Sequence, residues 1–191
     1  MVLTPSTMVE LGTPVPDFTL PEVGSGEISL NDFSDKPALL VMFISRHCPY
    51  VQHVQKELAR LGRDYAETGL GIVAVSSNDA DEYPDDSPQN LDRMRREIGF
   101  TFPVCFDATQ EVAKSFRASC TPDFFLFDRK RVLVYRGQLD GSRPGNRIPV
   151  TGRDLRAAID AVLAGESVSG EQQASIGCNI KWKRGNEPAY F

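Results

Sequence analysis

The chain has 191 residues, 41% of them hydrophobic, with a formal charge of -5 and a pI near 5.1. That length and apolar content suffice for one compact core, and the acidic balance excludes a dedicated nucleic-acid surface, which needs clustered Lys and Arg. The start, MVLTPSTMVELGTP, lacks a basic stretch followed by an apolar one, and the longest apolar run is too short to span a bilayer, so a cytoplasmic setting without a membrane partner is expected.

After this start, Phe18 and Leu20 alternate before a Gly-Ser-Gly turn and Ile28 and Leu30 after it, which reads as a β-hairpin. The run ALLVMFI (38–44) is continuously apolar, as a strand covered on both faces requires. From Pro49, the residues Val51, Val54, Leu58, Leu61 and Tyr65 recur at helical spacing, and GIVAV (71–75) reads as a second core strand, so the unit is strand, helix, parallel strand.

A loop with five carboxylates between Asp79 and Asp86 follows, then a helix over 87–98, a short strand FPVCF and a helix over 109–117. FFLF and VLVY form an antiparallel hairpin, and a helix over 151–165, with Thr151 as N-cap and Gly165 as C-cap, closes the domain. The expected organisation is one α/β domain (1–165) and a tail (166–191) that docks through Ile176, Ile180 and Trp182.

Chemistry concentrates at Cys48. It follows a core strand at its carboxyl end, where parallel sheets gather ligands, and it caps a helix whose N–H groups and dipole favour a thiolate, with Arg46 and His47 alongside. The competing reading is a buried structural cysteine. The four cysteines are scattered, unlike a secreted disulfide framework, and a C-x-x-C partner is missing because Val51 stands there. A second landmark is Thr121-Pro122, directly before a strand; on spacing alone the bond is either cis or an ordinary trans strand opening.

The order of elements together with PDFTLPEV, LVMFISRHCPYV and CTPDFFLFD resembles the thioredoxin-like superfamily, and within it the alkyl hydroperoxide reductase and thiol-specific antioxidant group, in its peroxiredoxin-like members. The resemblance covers nearly the whole chain, including the tail GCNIKWKRGNEPAYF. It implies a thioredoxin-like fold, with a central mixed sheet flanked by helices, a reactive Cys48 and a cis bond before Pro122. The family's P-x-x-x-T-x-x-C pattern departs here to Val41 and Ser45, and its arginine ahead of the strand has Arg117 as nearest candidate. A copper chaperone of this superfamily would have its first cysteine where Ile44 stands, so no metal and no cofactor are expected.

The function expected is that of a thiol oxidoreductase, an antioxidant protein using Cys48 against a small-molecule peroxide or a protein disulfide, with a thiol electron donor such as thioredoxin; the alternative is a non-catalytic binding module of the same fold. The expected substrate-side residues are Ser45, Arg46, Thr121, Pro122, Asn78 and Arg143. For the resolving thiol, Cys105 lies in a strand and Cys120 should face away from Thr121, leaving Cys178, whose neighbour Gly177 suggests a mobile tail. Packing beside Trp182 is the other reading of Cys178.

Overall fold

The computed structural model describes residues 3–190. In chain order the elements are β1 (Leu3–Pro5), β2 (Thr19–Pro21), β3 (Glu27–Ser29), β4 (Ala38–Phe43), α1 (Pro49–Asp64), β5 (Leu70–Ser76), α2 (Pro88–Ile98), β6 (Val104–Phe106), α3 (Glu111–Ser115), β7 (Cys120–Thr121), β8 (Asp123–Phe127), β9 (Leu133–Tyr135), α4 (Arg153–Leu163) and β10 (Ile176–Asn179).

Five strands form the central sheet in the order β6-β5-β4-β8-β9, with β4, β5 and β6 parallel and β8 and β9 antiparallel to their neighbours. Every residue of β4 is buried, as its unbroken apolar run requires. Because side chains alternate along a strand, Leu40, Met42 and Ile44 join a core with Leu58 and Leu61 of α1 and Ile159 of α4. Leu39, Val41 and Phe43 face the opposite cluster with Phe116, Phe125 and Trp182.

Three segments differ from their sequence pattern. The helix expected over 109–117 shortens to α3, because Gln110 and Arg117 on either side take positive φ (66° and 52°) and the Asp107 carboxylate accepts the N–H of Ala113. The cap of α4 is Gly152 rather than Thr151: Asp140, from an earlier loop, accepts the N–H groups of both residues at 2.6 Å, and Gly152 turns the chain at φ 68°. The third is the tail. Its strand β10 lies between β1 and β7, both antiparallel to it, so the start of the chain also contributes a strand.

The tail is held at several points. Ile180 and Trp182 are core residues, Lys181 donates its N–H to Asn78 Oδ1 at 2.8 Å, and its carbonyl accepts the N–H of Asp79. Among the described residues no helix is long and apolar enough to cross a membrane.

A candidate redox site built from Cys48 and Cys178

Cys48 caps α1 in an extended conformation (φ -73°, ψ 119°), with Pro49 opening the first turn, where its missing N–H costs nothing. The chain reaches this point through Ser45-Arg46-His47, three residues that leave β4 and are gathered by one carboxylate. Asp86 is fully buried and accepts hydrogen bonds from Ser45 Oγ (3.0 Å), the Arg46 backbone N–H, His47 Nδ1 (2.6 Å) and Asn78 Nδ2 (2.7 Å). Burial pushes the Asp86 pKa up, but the donors from His47, Asn78 and Arg46 outweigh it and hold the group below the usual carboxylate value. His47 moves the other way, its pKa raised first by the Asp86 hydrogen bond, and its ring stacks on Tyr83.

The thiol of Cys48 points at two groups. Its Sγ lies 3.1 Å from the Thr121 carbonyl and 2.7 Å from Cys178 Sγ, longer than an S–S bond at roughly 2.05 Å. The Thr121-Pro122 bond is cis. Cys178 reaches this place because β10 pairs it with Thr121 across the ladder. Gly177 does a different job from the one its neighbourhood suggests: a Cβ there would sit 1.9 Å from the Thr121 carbonyl oxygen, so glycine permits close docking of the tail and does not loosen it.

Hydrogen bonding from Cys178 is the largest influence on Cys48 and lowers its pKa to about 6; burial opposes this, and the Thr121 side chain and backbone N–H groups add to the lowering. The Cys178 thiol, holding the shared proton, is pushed well above the ordinary range by that same bond and then by burial. A pH profile of Cys48 alkylation by iodoacetamide is therefore expected to have its midpoint near 6. Cys178→Ala, which removes the donor, should move that midpoint up toward the ordinary value of about 8.5, and Cys178→Ser, which keeps a hydroxyl donor, should fall between. An unshifted midpoint in Cys178→Ala would contradict this account.

The structure distributes the other sequence candidates unevenly. Ser45 and Asn78 are buried and bound to Asp86, so they shape the loop beneath Cys48. Arg46 lends its backbone to the same carboxylate and its guanidinium to Asp85 at 3.3 Å. Thr121 offers its carbonyl to Cys48, while the Pro122 carbonyl accepts Ser175 Oγ.

Cys120 turns its sulfur toward the Pro122 carbonyl, and burial raises its pKa well above the thiol range. Arg143 does not join Cys48: its guanidinium is taken by the carbonyls of Asp140 and Ser142 and by Gln138 Oε1. Arg117 lies over the Tyr190 ring. His53 is partly buried and bonds to Ser142 Oγ at 2.8 Å. Among the described residues no cluster of three or more His, Cys, Asp or Glu could hold a metal ion.

Sequence reasoning passes over a buried ion pair behind Pro122. Arg136, fully buried, donates to Asp123 Oδ2 at 3.1 Å, to Ser6 Oγ and to the Arg117 carbonyl, and lies over the Phe125 ring at 4.2 Å. The signal that could have found it is a charged residue at each border of an apolar hairpin, TPDFF and VYR.

Residues 11–136 match the model of the AhpC/TSA family. Among curated proteins, the chain is 25% identical over 126 residues to the thiol-disulfide oxidoreductase ResA of Geobacillus thermodenitrificans, covering 66% of this chain and 68% of that one. It is 25% identical over 116 residues, 61% of this chain and 69% of the other, to a Mycobacterium tuberculosis protein provisionally named a peroxiredoxin. Among solved structures, a hypothetical protein of Sinorhizobium meliloti 1021 is 50% identical with a TM-score of 0.94, over 95% of this chain and all of that one. A thioredoxin-family thiol:disulfide interchange protein of Chlorobium tepidum, 17% identical with a TM-score of 0.63 over 81% and 99%, shares the fold alone.

Proposed function

Because the chain belongs to the AhpC/TSA family and has a thioredoxin-like fold, we propose that this thiol oxidoreductase cycles Cys48 and Cys178 between dithiol and disulfide. The observation that carries the reading is the 2.7 Å approach of the two sulfurs at a helix N-terminus, beside the Thr121 carbonyl. The Cys48 thiolate attacks a peroxide or a disulfide, giving a sulfenic acid or a mixed disulfide. Cys178 then attacks the Cys48 sulfur and expels water or the substrate thiol, closing the internal disulfide. An external thiol donor such as thioredoxin reverses it by attacking Cys178, because the low-pKa Cys48 thiolate is the better leaving group. We place this cycle in the cytoplasm, where the thiol pool keeps such a pair reduced between turnovers.

Ser45 has its hydroxyl on Asp86, Val41 is buried in β4, and among the described residues no arginine bonds to the Cys48 sulfur, so the anion that forms is stabilised by the start of α1, by the Cys178 thiol and by backbone N–H groups. Peptide mapping under non-reducing conditions after one equivalent of oxidant tests the pairing. A Cys48 to Cys178 linkage, absent in Cys178→Ser, is expected; a linkage from Cys48 to Cys120 would refute it.

A further inference from the structure

The loop that leads into Cys48 and the tail that carries Cys178 are also joined away from the sulfurs. The ladder that places Cys178 is short, pairing it with Thr121 and Asn179 with Cys120. A little further along the tail, the Lys181 backbone is gripped on both its polar groups by the residues that follow β5. Its N–H donates to Asn78 Oδ1 at 2.8 Å, and its carbonyl accepts the Asp79 N–H at 2.8 Å. Asn78 is 3% exposed, and the other end of its amide, Nδ2, donates to Asp86 Oδ2 at 2.7 Å. That same carboxylate holds Ser45, Arg46 and His47, which run directly into Cys48. The Asn78 amide cannot be turned round, because Lys181 presents a donor and Asp86 presents acceptors. Tyr83 makes a weaker join between the same two segments, its ring stacked on His47 at 5.3 Å and lying 5.9 Å from Lys181 Nζ.

We propose that Asn78 is a positioning residue for the thiol pair: by binding Lys181 and Asp86 at once, its amide fixes the tail against the loop before Cys48 and so sets Cys178 at its reactive distance. This rests on the redox reading of Cys48 and Cys178, and it adds a residue that acts only through others. The place requires one donor and one acceptor across the width of a single amide. Aspartate there keeps an acceptor for Lys181 but sets a carboxylate against Asp86, where like charges repel unless the two share a proton. Alanine leaves the Lys181 N–H and the buried Asp86 each one partner short. Either change unties the tail beside Cys178 from the loop before Cys48, and the sulfurs move apart. Closure of the pair, in which Cys178 Sγ–H displaces the oxygen of the Cys48 sulfenic acid as water and forms the S–S bond, then loses ground to a second peroxide. That peroxide gives the sulfenic sulfur another oxygen and leaves as water or an alcohol.

The experiment reads the midpoint of Cys48 alkylation by iodoacetamide against pH in the reduced full chain. Asn78→Ala should raise that midpoint from about 6 by about one pH unit or more, because the Cys178 thiol is no longer held at 2.7 Å as a donor. In a Cys178→Ala background the same substitution should leave the midpoint where it is, since the donor it positions is already gone. Asn78→Asp, which serves if the alanine variant does not fold, should raise the midpoint likewise. The exchange Asn78→Asp/Asp86→Asn restores one donor against one acceptor with the charge unchanged, and should bring the midpoint back toward the wild-type value. Intact mass after two equivalents of hydrogen peroxide gives a second reading, in which the sulfinic share should rise severalfold over the disulfide in Asn78→Ala. A midpoint unmoved in the folded single variants, an equal rise with and without Cys178, or an exchange variant no nearer wild type than Asn78→Asp would overturn the inference and leave the redox pair standing. No Cys48 to Cys178 linkage in the wild-type chain after peroxide would overturn both.

Discussion

Cys48→Ser is expected to lower turnover with any oxidant by on the order of a thousandfold or more, because it removes the nucleophile on which every later step depends. Cys178→Ser should act differently. The first oxidation still occurs, but the sulfenic acid at Cys48 has no neighbour at 2.7 Å to close upon, so it accumulates and a second equivalent of peroxide carries it to the sulfinic acid. The intact mass of each variant after one and two equivalents of peroxide distinguishes them: no added oxygen at residue 48 in the first, one and then two in the second. Cys105→Ala is the control, since that thiol is buried in the opposite core cluster and burial raises its pKa to about 12. Turnover surviving in Cys48→Ser would remove the basis of the proposed cycle.

Arg136→Met is expected to destabilise the fold by about 3–5 kcal/mol, the range for stripping the partner from a buried charge. Asp123 is fully buried, its pKa raised first by burial, with Arg136 the main opposing charge. Without the guanidinium, that carboxylate must be protonated or stay buried and unpaired. The folded-state pKa of Asp123 then lies still further above its unfolded value of about 3.9, so the neutral form is what the fold favours. The deficit of the variant should accordingly be smallest below about pH 4 and grow as pH rises toward the raised folded pKa.

Urea midpoints of wild type, Arg136→Met and the double variant Arg136→Met/Asp123→Leu measure this, and the double variant should recover most of the loss because neither charge is left behind. A single variant as stable as wild type at pH 7 would show that the pair carries no such burden. The pair matters to the site through position: Asp123 follows Pro122 directly and opens β8, opposite Phe43 of β4.

The chain itself determines much of this architecture, and the reason is local. Unbroken apolar runs can only be covered strands, so β4 and β5 follow from 38–44 and 71–75; apolar residues three and four apart can only share one helix face, so α1 follows from Val51 to Tyr65. Cys48 at the junction of the two is therefore legible as a helix-capping thiol. What surrounds it is not, because each neighbour arrives from a distant part of the chain with no periodic signal of its own. Asp86 is one of five carboxylates in its loop, and nothing nearby distinguishes the one that becomes buried under four donors from Asp81, Glu82 and Asp85, which stay in water. Arg136 and Asp123 pair only because β8 and β9 bring the hairpin borders together.

The tail shows the same division most sharply. Its apolar residues announce that it docks, but whether Gly177 loosens a strand or lets one pack depends on what lies opposite. Only the tertiary structure supplies the Thr121 carbonyl that excludes a side chain there and sets Cys178 against Cys48. Short-range sterics and hydrophobic periodicity are written residue by residue, whereas the meeting of two sulfurs 130 positions apart is fixed by strand pairing, which no local stretch of sequence encodes.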